Sequence, residues 1–584
     1  MKKYMFLACV IISLFASTQV FAASYTWSVS SGDWGTATNW TPNRTTPATD
    51  DILIFSGMSE VTATAMPTET IGQLIVTSNC TANIGSAVAA VLTLSTTTSS
   101  GLNALQIDAG SVLYYFGPYA KTITILTACK GAVNGDVVFT STGASIANRL
   151  LAIDTDGLTF NNGATFQLAP GGAGAGNPFG STYLNSVRFK SGATFYMGGT
   201  KTGPSFATGS NPFGATQPNS VLVMDPGSIF YTWCSIFVTS GRTYGNVIID
   251  SRNANISNTA GTGTFTVNGY FSIKSTSIGK FIYTDTSTTG SNGLGMLVTG
   301  DFTIESGASG FSDTAALTGA SNIEFRGNIY AASTCSLSTN TNRTYLFSGS
   351  SPQTITLLVP PSSMPNLKIN NAAGITVSTS LAVTGTVTMT AGNIDLGANT
   401  ITVGTSPSSA GTIIRTTGTI IGSVNKWQPI GISTTVYPIG TATDYTPITL
   451  TINSIDTVVG NNTTAIKASV TDAKHASAPS TYFISRYFSL TPGSGISTIT
   501  ADIVLEYTAT DSTDANLGSN WPAAQIAKWN GASWTYIPAM FGYDATNSLY
   551  VAITLGQTSL SDWTVSGPGG TPAELSRFNA ILKP

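Results

Sequence analysis

From Ile375 to Met389, apolar and polar residues alternate with a period of two. Ile375, Val377, Leu381, Val383, Val387 and Met389 occupy odd positions, and Thr376, Ser378, Ser380, Thr384, Thr386 and Thr388 stand between them. Successive side chains of a strand point to opposite faces, so this stretch predicts strands with one apolar face and one face of short hydroxyls. Gly392-Asn393 interrupts the pattern, which resumes in Ile394, Leu396, Ile401 and Val403. Similar segments recur along the chain, separated by Gly, Asn, Ser and Pro rather than by helical periodicity.

The segments also repeat as phrases. Gly163-Ala164-Thr165-Phe166 returns as Gly192-Ala193-Thr194-Phe195, with a looser copy at Gly227-Ser228-Ile229-Phe230. Asn177-Pro178-Phe179-Gly180 matches Asn211-Pro212-Phe213-Gly214, and Gly245–Asp250 matches Pro365–Asn370. Repeats built from short strands and Gly or Asn turns predict stacked coils of a parallel β-helix, each burying its apolar side against the next. After about Gly422 the texture changes to longer strands with aromatic residues. Thr446–Ile452, Ala465–Val470, Tyr482–Leu490, Thr500–Tyr507, Gln525–Asn530 and Tyr550–Leu555 predict an antiparallel sandwich. Tryptophan follows the same division. Trp27, Trp34 and Trp40 open the mature chain, five more lie beyond residue 425, and Trp233 stands alone between.

The expected class is all-β: a signal peptide over 1–22, an N-terminal cap over 23–70 and β-solenoid repeats over 71–424. A β-sandwich over 425–568 and a tail over 569–584 complete the chain. Lys2 and Lys3, the apolar run Phe6–Phe15 and Val20-Phe21-Ala22 form the signal, so the protein is expected to be secreted or displayed on the outer cell surface. That run is shorter than the roughly 20 residues a membrane helix needs, and no transmembrane segment is expected.

Composition narrows the function. Charged residues make up 9% of the chain against roughly 25% in ordinary soluble proteins, while hydrophobic residues reach 42%. Such a chain is not disordered, and its surface must be kept polar by Thr, Ser, Asn and Gly. With 24 basic residues thinly spread and a net charge of -3, nothing resembles a phosphate-tracking stripe, and nucleic acid is not an expected partner. Cys80, Cys129, Cys234 and Cys335 lack metal-site spacing. In an oxidising compartment they could pair; the plainer reading is isolated buried thiols, or one stacked pair inside the solenoid.

Several passages resemble exported Bacteroidetes surface proteins of the type IX secretion class. At the N-terminus these are Tyr25-Thr26-Trp27, Asp33-Trp34, Asn39-Trp40-Thr41-Pro42 and Asp51-Ile52-Leu53-Ile54. Ser348–Ile355 leading into Pro365–Ile369 is similar to the repeat core of that group. The passage from Tyr437-Pro438-Ile439-Gly440 to Arg486–Leu490 is similar to its sandwich module, with Phe488 where Trp is expected. Pro572–Ala580 resembles the junction before a sorting domain, yet the chain ends at Pro584. Either the product is truncated, or export and anchoring differ from those of the family. The resemblance implies a shared architecture rather than a shared activity.

Candidate chemistry is sparse. His475 is the only histidine, so a Ser-His-Asp triad or a Cys-His dyad would depend on it. It lies between sandwich strands, near a proline, and reads as a surface-loop residue. Polysaccharide hydrolysis needs two carboxylates across a groove, and elimination needs a base beside a calcium-binding acidic cluster. The solenoid acids include Asp108, Asp136, Asp154, Asp156, Asp225, Asp250, Asp301, Glu305 and Glu324; candidate bases are Arg188, Arg242, Arg252 and Arg326. Asp154 and Asp156 would share a face on a strand, but beside Gly157 they read as a solvated turn. Asp511, Asp514, Asn516 and Asn520 form an oxygen-rich loop without EF-hand ligand order. Thr384, Thr386, Thr388 and Thr390 invite an ordered-surface-binding reading, although Thr is simply a good strand former. Trp521, Trp529, Trp534 and Tyr536 could stack on sugar rings, or fill the sandwich.

The expectation is therefore a non-enzymatic, adhesin-like structural β-solenoid without catalytic, cofactor or metal residues; its partner would be extracellular polysaccharide or cell-surface matrix. The alternative is a polysaccharide-binding or polysaccharide-degrading β-helix, favoured if carboxylates and an arginine meet in a groove.

Overall fold

The structure is a computed structural model describing residues 22–96, 102–140, 146–169, 177–204, 212–214, 219–234, 236–251, 255–259, 263–284, 293–314, 317–338, 340–358, 364–478, 482–515, 517, 524–537 and 539–567. Apart from Ala22, the signal peptide expected over 1–22 lies outside the described residues, as do the Pro572–Ala580 stretch, Asn211, Arg252, Asn516, Asn520 and Trp521. The chain divides into two compact units, Met1–Cys234 and Ser235–Pro584.

The first unit is a parallel β-helix with up to three strands per coil. One sheet stacks strands such as Ile52–Phe55, Gln73–Val76, Leu105–Ile107, Gly131–Val133, Leu158–Phe160, Val187–Phe189 and Leu222–Met224. A second runs from Ser31–Asp33 to Ile229–Thr232, and a third comprises Glu69–Ile71, Ala90–Leu94, Lys121–Ile125 and Arg149–Ala152. Register brings like residues together. Phe55, Val76, Ile107, Val133, Phe160, Phe189 and Met224 succeed one another in the first sheet, all buried.

The repeated Gly-Ala-Thr-Phe phrase has a stacking cause. Gly163, Gly192 and Gly227 have φ of 82°, 82° and 85°, a region that non-glycine residues rarely enter. Gly163 N–H donates to Gly192 O at 3.2 Å and Gly192 N–H to Gly227 O at 3.0 Å, so the turns are themselves laddered. That register places Phe166, Phe195 and Phe230 in one column, with the first two rings stacked at 5.2 Å. Phe179, from the Asn-Pro-Phe-Gly phrase, inserts against Phe166 at 4.7 Å beyond the end of the third sheet.

The first coil is closed by Trp27, Trp34 and Trp40, each 1% exposed. Trp40 meets Trp27 edge-on at 5.0 Å and Trp34 at 5.4 Å, and its indole N–H donates to Trp34 O at 2.9 Å. Arg44 braces the cap by donating to Asp51 at 2.8 Å and, through both terminal nitrogens, to Glu69 at 3.1 and 3.0 Å.

The second unit starts with further coils. A five-stranded sheet from Ile236–Val238 through Phe311–Asp313 ends at Cys335–Ser336, and coils beyond it use two sides. There the strands lengthen, to Met364–Asn370, Leu381–Ala391 and Ile394–Val403. The alternating run falls in Ile375–Val377 and Leu381–Ala391, with its six apolar residues buried and the intervening Thr and Ser partly or fully exposed.

The strand Ile420–Lys426 pairs in parallel with Ile394–Val403 and with the short Ile439–Gly440, and antiparallel with Ile466–Thr471. One sheet thus changes from coil to sandwich, continuing through Tyr487–Pro492, Asp562–Ser566, Gln525–Trp529 and Trp534–Ile537. The facing sheet is Ser433–Tyr437, Ile448–Thr457, Ile496–Tyr507, Leu549–Gln557 and Met540–Asp544, all antiparallel.

Candidate functional site

Stacked coils bring together charged residues that are remote in sequence. Arg188 donates from Nε to Asp156 at 2.7 Å and from Nη1 to Asp225 at 2.5 Å, with partners 32 and 37 residues away. Glu324 accepts from Arg326 at 2.7 Å and from Ser348, on the next coil, at 2.6 Å. Glu305 accepts from Lys274 and from Ser275 N–H at 2.6 and 2.9 Å, and Asp250 accepts from Thr276 at 2.7 Å. Asp136 accepts from Thr165 at 2.7 Å and pairs with Lys201. Asp108 binds Thr77, and Asp301 binds Asn328. These carboxylates bind donors on neighbouring coils, where they act as ties.

Asp154 and Asp156 separate. Gly157 N–H closes a tight turn onto Asp154 O at 2.9 Å. The Asp154 carboxylate then accepts from Ala128 N–H at 2.6 Å, whereas Asp156 faces Arg188. Arg242 is 5% exposed, and burial pushes its guanidinium pKa down. Asp511 caps helix Ala509–Asp514 in a capping box with Thr508 and accepts from the buried Arg486 at 2.9 Å. Asp514 accepts from Ser485 at 2.6 Å. Asp511 and Asp514 are thereby bonded into the protein, and among the described residues no group of three or more His, Cys, Asp or Glu is placed to hold a metal ion.

His475 lies on the loop after Ile466–Thr471 and is half-buried there. It packs on Tyr487 at 5.0 Å, Trp534 at 5.0 Å and Trp529 at 5.5 Å. Nδ1 accepts from Ser477 N–H at 3.1 Å, and Nε2 faces Asp562 at 3.3 Å. Ser489 donates to that same Asp562, not to the imidazole, so the three do not form the relay of a serine hydrolase. Trp529, Trp534 and Tyr536 are half-buried, whereas Trp563 fills the core. The threonine face is also mixed: Thr388 is flanked in register by Lys368 and by Ile414, which is 51% exposed.

A cleft that no sequence motif announces lies where the last coil meets the sandwich. It has a volume of about 640 Å³. One wall is the hairpin Thr405, Ser406, Pro407 and Ser408, and the other is Asn462 and Thr463; Trp427, Pro429 and Ile430 complete the lining. Gly404 and Gly411, at φ of 89° and 67°, set the base of the hairpin, and Thr405 N–H closes it onto Ser409 O at 2.9 Å.

The residues flanking Trp427 fix it. Lys426, 5% exposed, donates to Ala410 O at 2.7 Å and Trp427 O at 2.8 Å, and burial lowers its pKa to about 8. Gln428, fully buried, donates to Lys426 O at 3.1 Å and accepts from Thr435 at 2.9 Å. Thr464 ties the second wall by donating to Gln428 O at 2.5 Å. Trp427 itself is half-buried and Ile430 is 60% exposed. Trp427 and the prolines were visible in the sequence, but the turn that opposes them to Asn462 was not.

No protein-family model matches this chain, and neither does any curated protein or solved structure.

Proposed function

We propose that the protein is a secreted or cell-surface, adhesin-like structural protein that holds extracellular polysaccharide or matrix without cleaving it. The observation that carries this reading is the use of charge: Arg188 spans Asp156 and Asp225, and the other solenoid carboxylates named above also tie coils together. A hydrolytic groove needs one carboxyl to protonate a leaving group and a second to act as base or nucleophile. Carboxylates bonded to arginine, lysine and backbone N–H are poorly suited to either task. The signal-like N-terminus and the resemblance to exported surface proteins support an extracellular location.

The test is incubation of the mature protein with immobilised acidic and neutral polysaccharides, measuring retention together with new reducing or unsaturated ends. Retention without release is expected. Steady release of oligosaccharide sinks the non-enzymatic reading and favours a degrading β-helix protein.

A further inference from the structure

The Trp427 cleft differs from the charged ties elsewhere because none of its lining residues carries a charge. Its volume of about 640 Å³ lies within the roughly 300–1,000 Å³ usual for small-ligand sites. Trp427, Pro407, Pro429 and Ile430 offer apolar surface; Ser406, Ser408, Thr463 and Asn462 offer groups that both donate and accept hydrogen bonds.

A pyranose ring has this same division, with C–H bonds on its faces and hydroxyls around its edge. We propose that the cleft binds a neutral pyranose chain, with Trp427 as the stacking platform and Ser408, Asn462 and Thr463 as hydroxyl partners. This rests on the polysaccharide-holding function proposed above and supplies its site and ligand class. An acidic glycan needs a cation, and Lys426, next to Trp427 in sequence, already has its ammonium on two backbone carbonyls. Lys426 and Gln428 hold the backbone on either side of the indole, so little ordering remains for binding to impose.

The test is titration of the full chain with cellohexaose, maltohexaose, mannohexaose and laminarihexaose, and with an oligogalacturonate of equal length, followed by tryptophan fluorescence and calorimetry. At least one neutral hexaose is expected to bind. Trp427→Ala should weaken it about tenfold or more, the effect of losing one buried aromatic anchor, whereas Trp427→Phe retains most of the affinity. Asn462→Ala, remote from the indole in sequence, should also weaken binding; it decides the matter if Trp427→Ala does not fold. Absence of binding by all four neutral hexaoses overturns the proposal. So does tighter binding of the oligogalacturonate, or affinity that neither Trp427→Ala nor Asn462→Ala changes. Undiminished retention of Trp427→Ala and Asn462→Ala on polysaccharide would overturn the cleft alone. Oligosaccharide release would overturn the non-cleaving function and leave the cleft standing.

Discussion

Arg343 donates from Nε to Asp313 Oδ2 at 2.9 Å, and both side chains are completely buried inside the coils of the second unit. The pair belongs to a network. Arg343 Nη1 donates to Ser321 at 2.8 Å, Tyr345 donates its hydroxyl to Asp313 at 2.9 Å, and Ser338 N–H donates to that hydroxyl at 2.8 Å. Tyr283 lies beneath the guanidinium, 5.8 Å from ring centroid to Cζ. The network sits where the five-stranded sheet approaches its end at Cys335–Ser336 and the cross-section changes. Apolar stacking in register serves coils that repeat alike; here one of the sheets ends, and hydrogen bonds occupy part of the interior instead.

Removing one member should be costlier than removing the pair. Asp313→Ala removes the carboxylate to which the buried guanidinium and the Tyr345 hydroxyl both donate, and breaking a buried ion pair from one side typically costs about 3–5 kcal/mol. Asp313→Leu combined with Arg343→Met should recover much of that loss, because it removes both charges of the pair together. Urea unfolding of the three proteins measures this. An unchanged midpoint for Asp313→Ala would show that the pair contributes nothing to the fold.

Fold class was legible because periodicity is local. Ile375, Val377, Leu381, Val383, Val387 and Met389 are buried where alternation places them, and the Gly163 and Gly192 phrases mark equivalent turns of successive coils. Contacts between coils were not legible. Arg188 meets Asp156 and Asp225 only once loop lengths are known, since a coil's residue count decides which side chains become neighbours. His475 shows the same limit: a loop position says nothing of three aromatic rings arriving from Tyr487, Trp529 and Trp534. The Trp427 cleft needed the antiparallel return of Ile466–Thr471 onto Ile420–Lys426, a long-range pairing with no signature in either strand.

At the N-terminal cap, Trp40→Ala should destabilise the first unit by about 3–5 kcal/mol, the usual cost of deleting a buried indole. It removes three edge-on ring contacts, to Trp27, Trp34 and Phe55, and the indole hydrogen bond to Trp34 O. Thermal unfolding followed by tryptophan fluorescence checks this. A fall in melting temperature no larger than that of a surface substitution such as Ser28→Ala would exclude a capping role for Trp40.

Cys80, Cys129, Cys234 and Cys335 are free and buried. Burial pushes the thiols of Cys234 and Cys335 up to about 12, and reaction needs the thiolate. A thiol reagent at neutral pH should therefore label none of the four in the folded protein and all four in denaturant. Rapid labelling without denaturant, or a shortfall in denaturant that reduction restores, would contradict free buried thiols.

Glu506 should give the fold an acid-leaning stability. Burial, then the neighbouring Asp544 carboxylate, push its pKa from 4.5 up to about 7, against the opposing pull of Arg415. Asp544 is held below its ordinary value by hydrogen bonds from Asn547 and Thr546, so the proton resides on Glu506. Between pH 4.5 and 7 the folded chain then holds a proton that the unfolded chain has released. Each step up in pH through that window favours unfolding through this group. Comparison of urea unfolding for wild type and Glu506→Gln at pH 4.5, 5.5, 6.5 and 7.5 isolates the contribution. Wild type should lose stability relative to Glu506→Gln as pH rises, with the difference levelling off above pH 7. Parallel pH profiles for the two proteins would mean that Glu506 titrates alike in the folded and unfolded chains.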